Sequence, residues 1–206
     1  MSAARDEEAA ARARDEADVA ALTERYLAWR RRRDCGVTSV PPTECEALAR
    51  RVLSGMAASP GRGAYIFGPA GRGKTETAKA ILAQSGHGMF VRETDLRNEV
   101  RATFSTGGYD AVVGPLRSAR LLVIDDVGKA CDKGAYADWY ASTLYDVVDA
   151  RWSAKLPTVF TSQHDGGALI RLVASQGMQE ALYSRMFGNC EIVPVSGSDR
   201  RFGGSR

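Results

Sequence analysis

Side chains that bind metals or form cross-links are scarce in this sequence, which has four cysteines and two histidines in 206 residues. Cys35, Cys45, Cys131 and Cys190 make no C-x-x-C pair and have no histidine at ligand spacing. That excludes the usual zinc modules and a disulfide framework, and reduced thiols are expected. His87 and His164 lie near glycines in stretches that read as loops, where surface positions are expected. Long apolar runs are absent too, since none exceeds five residues, against the roughly 20 that a bilayer span needs. Residues 1–30 are acidic and alanine-rich where a secretory leader would be apolar, so the sequence predicts a cytoplasmic protein with no membrane segment. Nor does charge of one sign dominate. Lys plus Arg number 28 against 25 Asp plus Glu, a net +3, so any nucleic-acid contact has to be local.

What is present is a globular composition, 44% hydrophobic and 26% charged. A chain of this length buries roughly 70% of its unfolded surface, enough for one core. Its cations are lopsided, 23 Arg to 5 Lys, which fits phosphate recognition or merely the coding composition of the source. Residues 3–33 contain no Gly or Pro and place Val19, Leu22, Tyr26 and either Leu27 or Trp29 at helical spacing, so a long helix is predicted there. Acidic residues fill its start and Arg30 to Arg33 its end, which suits the helix dipole; the same arginines read equally as a partner or nucleic-acid contact. Gly36, Pro41 and Pro42 interrupt it, and a second helix is predicted over 43–57, with Thr43 as N-cap and Glu46 three residues on. The expected division is therefore a helical segment, 1–42, as a partner handle, and a main domain, 43–206. Within that domain the short apolar runs 64–67, 89–92, 121–125, 158–162 and 191–195 alternate with longer amphipathic stretches. Strands alternating with helices predict an α/β fold in which helices cover both faces of a five-stranded parallel sheet.

Directly after the first run stands Gly68-Pro69-Ala70-Gly71-Arg72-Gly73-Lys74-Thr75, a complete G-x-x-x-x-G-K-[ST]. Glycines let a backbone wrap a phosphate chain with its N–H groups inward, and the helix that follows points its positive end at the same phosphates. Lys74 would reach the β and γ oxygens, and the Thr75 hydroxyl would ligate Mg²⁺. The expected nucleotide contacts are Gly68, Pro69, Ala70, Gly71, Arg72, Gly73, Lys74, Thr75 and Glu76, with ATP and Mg²⁺ as cofactors. Fifty residues on, Leu121-Leu122-Val123-Ile124-Asp125-Asp126 carries an apolar strand into two carboxylates. A parallel strand delivers its carboxyl-end residues to the ligand crevice. Asp125 is thus expected to hold Mg²⁺, directly or through water, and Asp126 to orient or deprotonate the attacking water. Gln163, after the run 158–162, could bond the γ-phosphate or the lytic water, or simply end a strand. Arg185, on a helix predicted over 179–187, could act on a neighbouring subunit's nucleotide or be a solvated helix charge.

These residues resemble the AAA+ ATPases, and within them the bacterial helicase loaders typified by DnaC and DnaI together with the similar IstB transposition helper ATPases. The likeness covers residues 44–201. It rests on the phosphate loop, on Phe90-Val91-Arg92-Glu93-Thr94-Asp95-Leu96, on 121–128 as an apolar-Asp-Asp-x-Gly pattern, on 156–162, and on Ser184-Arg185. It implies a P-loop NTPase three-layer sandwich without a carboxyl-terminal lid domain, Arg185 as an arginine finger acting between subunits, and Arg200 or Arg201 as a second nucleotide-facing arginine. Gln163 departs from the family's sensor Asn by one methylene, which implies slow hydrolysis; Arg72 and Glu76 are also unusual beside the phosphate loop. The function implied is an ATP-hydrolysing, head-to-tail oligomeric replication protein that assists a replicative helicase on single-stranded DNA. Arg97, Arg101, Phe104 and Arg117 are the candidate DNA contacts. The alternatives are a transposase helper on duplex DNA and a nucleotide-gated adaptor with little hydrolysis.

Overall fold

The computed structural model describes residues 42–129 and 138–196. The predicted helix 3–33, Cys35, Cys131, Arg200 and Arg201 lie outside them. The elements run α1 (Pro42–Ala57), β1 (Gly63–Phe67), α2 (Lys74–Ser85), β2 (Met89–Arg92), α3 (Glu93–Thr106), α4 (Tyr109–Ser118), β3 (Leu122–Val127), α5 (Asp138–Ser153), β4 (Thr158–Ser162), α6 (Gly166–Val173), α7 (Gln176–Phe187) and β5 (Cys190–Pro194). All five predicted strands form, within one residue at most bounds. The first helix begins at Pro42, as suits a residue with no N–H to satisfy in the first turn. No helix among the described residues is long and apolar enough to cross a membrane.

The strands make one sheet in the order β2-β3-β4-β1-β5, with every pairing parallel. Ala64, Tyr65 and Ile66 are consecutive and all fully buried, as are Leu122, Val123 and Ile124. Since neighbours on a strand point to opposite faces, both faces of the sheet are covered, which is why these strands read as continuous apolar runs and do not alternate. Tyr65 packs edge-on to Phe187 of α7, ring centroids 4.7 Å apart, and its hydroxyl donates to the His164 carbonyl at 2.6 Å. That bond anchors the turn after β4 to the middle of β1.

The amino ends of the strands are held by an arginine. Arg151 of α5 is 1% exposed, and its guanidinium donates to Thr158 Oγ1 at 2.8 Å and to the carbonyls of Leu116 at 2.8 Å, Ala119 at 2.7 Å and Pro157 at 2.6 Å. It thereby ties α4, α5 and the start of β4. Burial lowers its pKa to about 9, and the four accepting oxygens keep it cationic at neutral pH. At the same pole, burial pushes the Cys190 thiol up to about 12, so it stays protonated. Cys45 and Cys190 are both free thiols.

Candidate nucleotide site

The phosphate loop leaves β1 beside β4 and runs into α2. Gly68 has φ of 147°, its amide donates to the Ser162 carbonyl at 3.2 Å, and a Cβ there would stand 2.1 Å from the Val195 carbonyl oxygen. No residue with a side chain fits. Gly71 and Gly73 also have positive φ, 76° and 83°, and Gly73 is the N-cap of α2. Lys74, 6% exposed, is folded back so that Nζ donates to the carbonyls of Gly68 and Pro69, both at 2.7 Å. Arg72 carries a sharper signal: its Nε and Nη1 are buried without a hydrogen-bond partner. Two unsatisfied donors in a glycine-lined loop at a helix amino terminus are what an anionic ligand would satisfy. Glu76, in the first turn of α2, pairs with Lys79 at 2.6 Å, and its side chain is 44% exposed.

At the carboxyl end of β3 the register slips by one residue against β4 between Ile124 and Val127, a β-bulge. Asp126 occupies it with φ of 61°, the left-handed region that Asp tolerates better than most residues. The bulge separates the two carboxylates. Asp125, 1% exposed, accepts from Thr75 Oγ1 at 2.9 Å and from Thr161 Oγ1 at 2.6 Å. Burial pushes the Asp125 carboxyl above its ordinary value, Asp126 adds to this, and the Thr161 and Thr75 hydroxyls and Arg92 oppose it. Asp126 turns outward and pairs with Lys129 at 2.7 Å, while its backbone amide donates to Thr161 Oγ1 at 2.9 Å. The Thr161 hydroxyl thus serves both acidic residues, as acceptor from one and donor to the other.

The structure joins Thr75 to Asp125, sets Lys74 beside Thr75 against the phosphate loop, and adds Thr161 and Glu93. Glu93 is fully buried at the start of α3 and accepts from the Gly128 amide at 2.9 Å, fixing the turn after Asp126. Thr161 had one visible signal, a polar residue inside a buried strand next to the acidic one. Glu93 had none beyond its place at a strand-to-helix junction. Gln163 follows the last residue of β4, is exposed, and its amide makes no hydrogen bond among the described residues. One expected DNA contact is otherwise engaged. Arg117 is bound to Asp146, to Asp110 at 2.9 Å and over the Tyr109 ring, so it is a strut between α4 and α5.

Arg185 is not in this cluster. It lies in the last turn of α7 and, with Gly63, Thr158 and Cys190, lines a cavity at the amino ends of β1, β4 and β5, whereas the phosphate loop and Asp125 stand at the carboxyl ends. A five-residue strand is about 16 Å long, so Arg185 cannot reach the nucleotide site of its own chain.

The residues at the carboxyl pole fit a nucleoside triphosphate with Mg²⁺: a cradle closed to side chains, an ammonium held at its mouth, two unsatisfied guanidinium donors, and a hydroxyl–carboxylate pair of the hard oxygen type that Mg²⁺ prefers. Among solved structures, the fold resembles the DnaC helicase loader (TM-score 0.60, 19% identity, covering 79% of this chain and 95% of that one). It also resembles DnaI (0.60, 20%, 81% and 88%) and AMPPCP-bound DnaA from Aquifex aeolicus (0.60, 19%, 80% and 50%). At such identities the likeness is one of fold, the AAA+ P-loop fold, and the chain spans about half the length of the replication initiators it matches. No curated protein sequence matches it significantly. The family model for IstB-like ATP-binding proteins matches residues 62–205, from the first strand through the phosphate loop and both acidic residues. The chain belongs to the family of IstB-like ATP-binding proteins.

Proposed function

We propose that the chain hydrolyses ATP with Mg²⁺ as one subunit of a head-to-tail assembly, and that it assists a replicative helicase on single-stranded DNA. The observation that carries the hydrolysis is the Asp125 carboxylate, buried and bridged to Thr75 across the phosphate loop at 2.9 Å. Lys74 and Arg72 would bind phosphate oxygens; Thr75 and Asp125 would hold Mg²⁺, which when bound neutralises charge on the β- and γ-phosphates. Asp126, on exchanging its Lys129 partner for water, orients the attacking water and accepts its proton, and Gln163 bonds the γ-phosphate or that water. Arg185 supplies the last cationic contact from the adjoining subunit, since its own site is out of reach.

The DNA reading rests on α3, where Arg101 is exposed and Phe104 is 60% exposed with its ring edge-on to Trp139, centroids 5.0 Å apart. Cations beside an exposed aromatic suit a stacked single strand. The match to IstB-like proteins supports the second reading, a transposase partner on duplex DNA. The deciding experiment is Mg²⁺-dependent phosphate release, read beside capture from native lysate with and without a non-hydrolysable ATP analogue. Lys74→Ala is expected to lower turnover at least about 100-fold, as removal of one charge-stabilising group does. A parent protein that binds ATP without turnover would make it a nucleotide-gated adaptor, and a retained transposase would replace the helicase.

A further inference from the structure

The surroundings of Arg185 could not be read from its sequence position. Asp149 and Trp152 stand three residues apart on α5 and so share one side of that helix. Asp149 Oδ1 accepts from Arg185 Nε at 2.5 Å, and the guanidinium carbon lies 5.7 Å from the centroid of the Trp152 ring. Trp152 is itself seated on the end of α7, because a Cβ at Gly188 would meet its ring at 3.0 Å. Arg185 is gripped from behind. Its Nε is engaged, while neither Nη1 nor Nη2 makes a hydrogen bond among the described residues, and the side chain is one third exposed. A contact that silenced the arginine would occupy its terminal nitrogens; this one leaves both, in the planar fork that matches two phosphate oxygens.

We infer that Asp149 and Trp152 are positioning residues, which hold Arg185 so that its Nη pair is presented to the nucleotide phosphates of an adjoining copy of this chain. The inference rests on the trans role given to Arg185 above. Held by a carboxylate at Nε and an aromatic face, the guanidinium loses less freedom on engaging phosphate than a free arginine would, and the orientation is set before the subunits meet.

Subunit mixing tests it. A Lys74→Ala subunit keeps its finger and loses its site; an Arg185→Ala subunit keeps its site and loses its finger. Their mixture is expected to recover ATPase activity at interfaces where the first serves the second. Asp149→Ala is then added to one partner at a time. Placed in the Lys74→Ala subunit it should lower the recovered kcat about tenfold with little change in KM, the loss expected when a charge-assisted contact is misaligned. Placed in the Arg185→Ala subunit, where no finger remains to be held, it should change nothing. Equal loss in both placements would make Asp149 a support of fold or assembly and overturn the inference, as would no loss in either. If the two parent variants associate but recover no activity, the trans role of Arg185 fails, and the positioning role with it.

Discussion

Asp125 is a carboxylate placed at a cost to the molecule that holds it. It is 1% exposed, and burial together with the neighbouring Asp126 disfavours its charge more than the Thr161 and Thr75 hydroxyls restore. Replacing it by Asn keeps the shape and an accepting oxygen and removes the buried charge. Asp125→Asn is therefore expected to melt at the same temperature as the parent or higher, by about 1 kcal/mol or roughly 2–4 °C, when no nucleotide is present. The same variant should lose Mg²⁺-dependent turnover. A melting temperature several degrees below the parent's would show that the carboxylate is a structural acceptor first. Lys74 and Thr75 stand out in the sequence because a phosphate loop fixes residue types at fixed spacing, and Asp125 because it ends an apolar run of strand length. Thr161 and Glu93 do not, because each meets its partner across the sheet, about 35 residues away in the chain. Nothing in a local pattern marks which threonine of a strand faces which carboxylate.

Elements were legible in kind and less so in detail. Buried parallel strands show as short apolar runs, so all five appeared at their places. The bulge in β3 did not, since Asp-Asp after an apolar run looks the same with or without an extra residue, yet that bulge turns Asp126 away from Asp125. The short α6 also went unseen, although Asp165 caps it by accepting from the Ala168 amide at 2.8 Å. Arg151 is the clearest case of an element-scale role hidden in a residue type. As one of 23 arginines it has nothing in the sequence to set it apart, and it is the buried tie between α4, α5 and β4. Arg151→Met would remove the guanidinium donor from Thr158 Oγ1 and from the Leu116, Ala119 and Pro157 carbonyls, the last of which also accepts from the Leu122 amide at 3.3 Å, and is expected to destabilise by about 3–5 kcal/mol. That corresponds to a melting temperature lower by roughly 6–20 °C. Arg151→Lys should rescue little, because an ammonium cannot reach acceptors spread over a planar fork. Thermal melts of both variants check this, and near-parental stability for either would remove the tie.

At the scale of the whole molecule the decisive feature is polarity along the strands. The phosphate loop, Asp125 and Thr161 lie at their carboxyl ends, and Arg185, with Asp149 and Trp152, at their amino ends. A contact that joins one pole to the other is heterologous, and repeats until it closes on itself or continues as an open chain. ATPase activity per subunit is accordingly expected to rise with protein concentration, and dilution series of turnover read beside light scattering would check it. Activity independent of concentration, in a protein that stays monomeric, would place the full catalytic set within one chain.

If Arg185 acts in trans as proposed, the two poles would also make the assembly count its own ends. In an open chain every interior site is completed by a neighbour, while the site at one terminus has no arginine to receive and the arginine at the other has no site to serve. The terminal nucleotide would then be the longest-lived in such an assembly, growth and loss of subunits at the two tips would differ, and hydrolysis would acquire a direction.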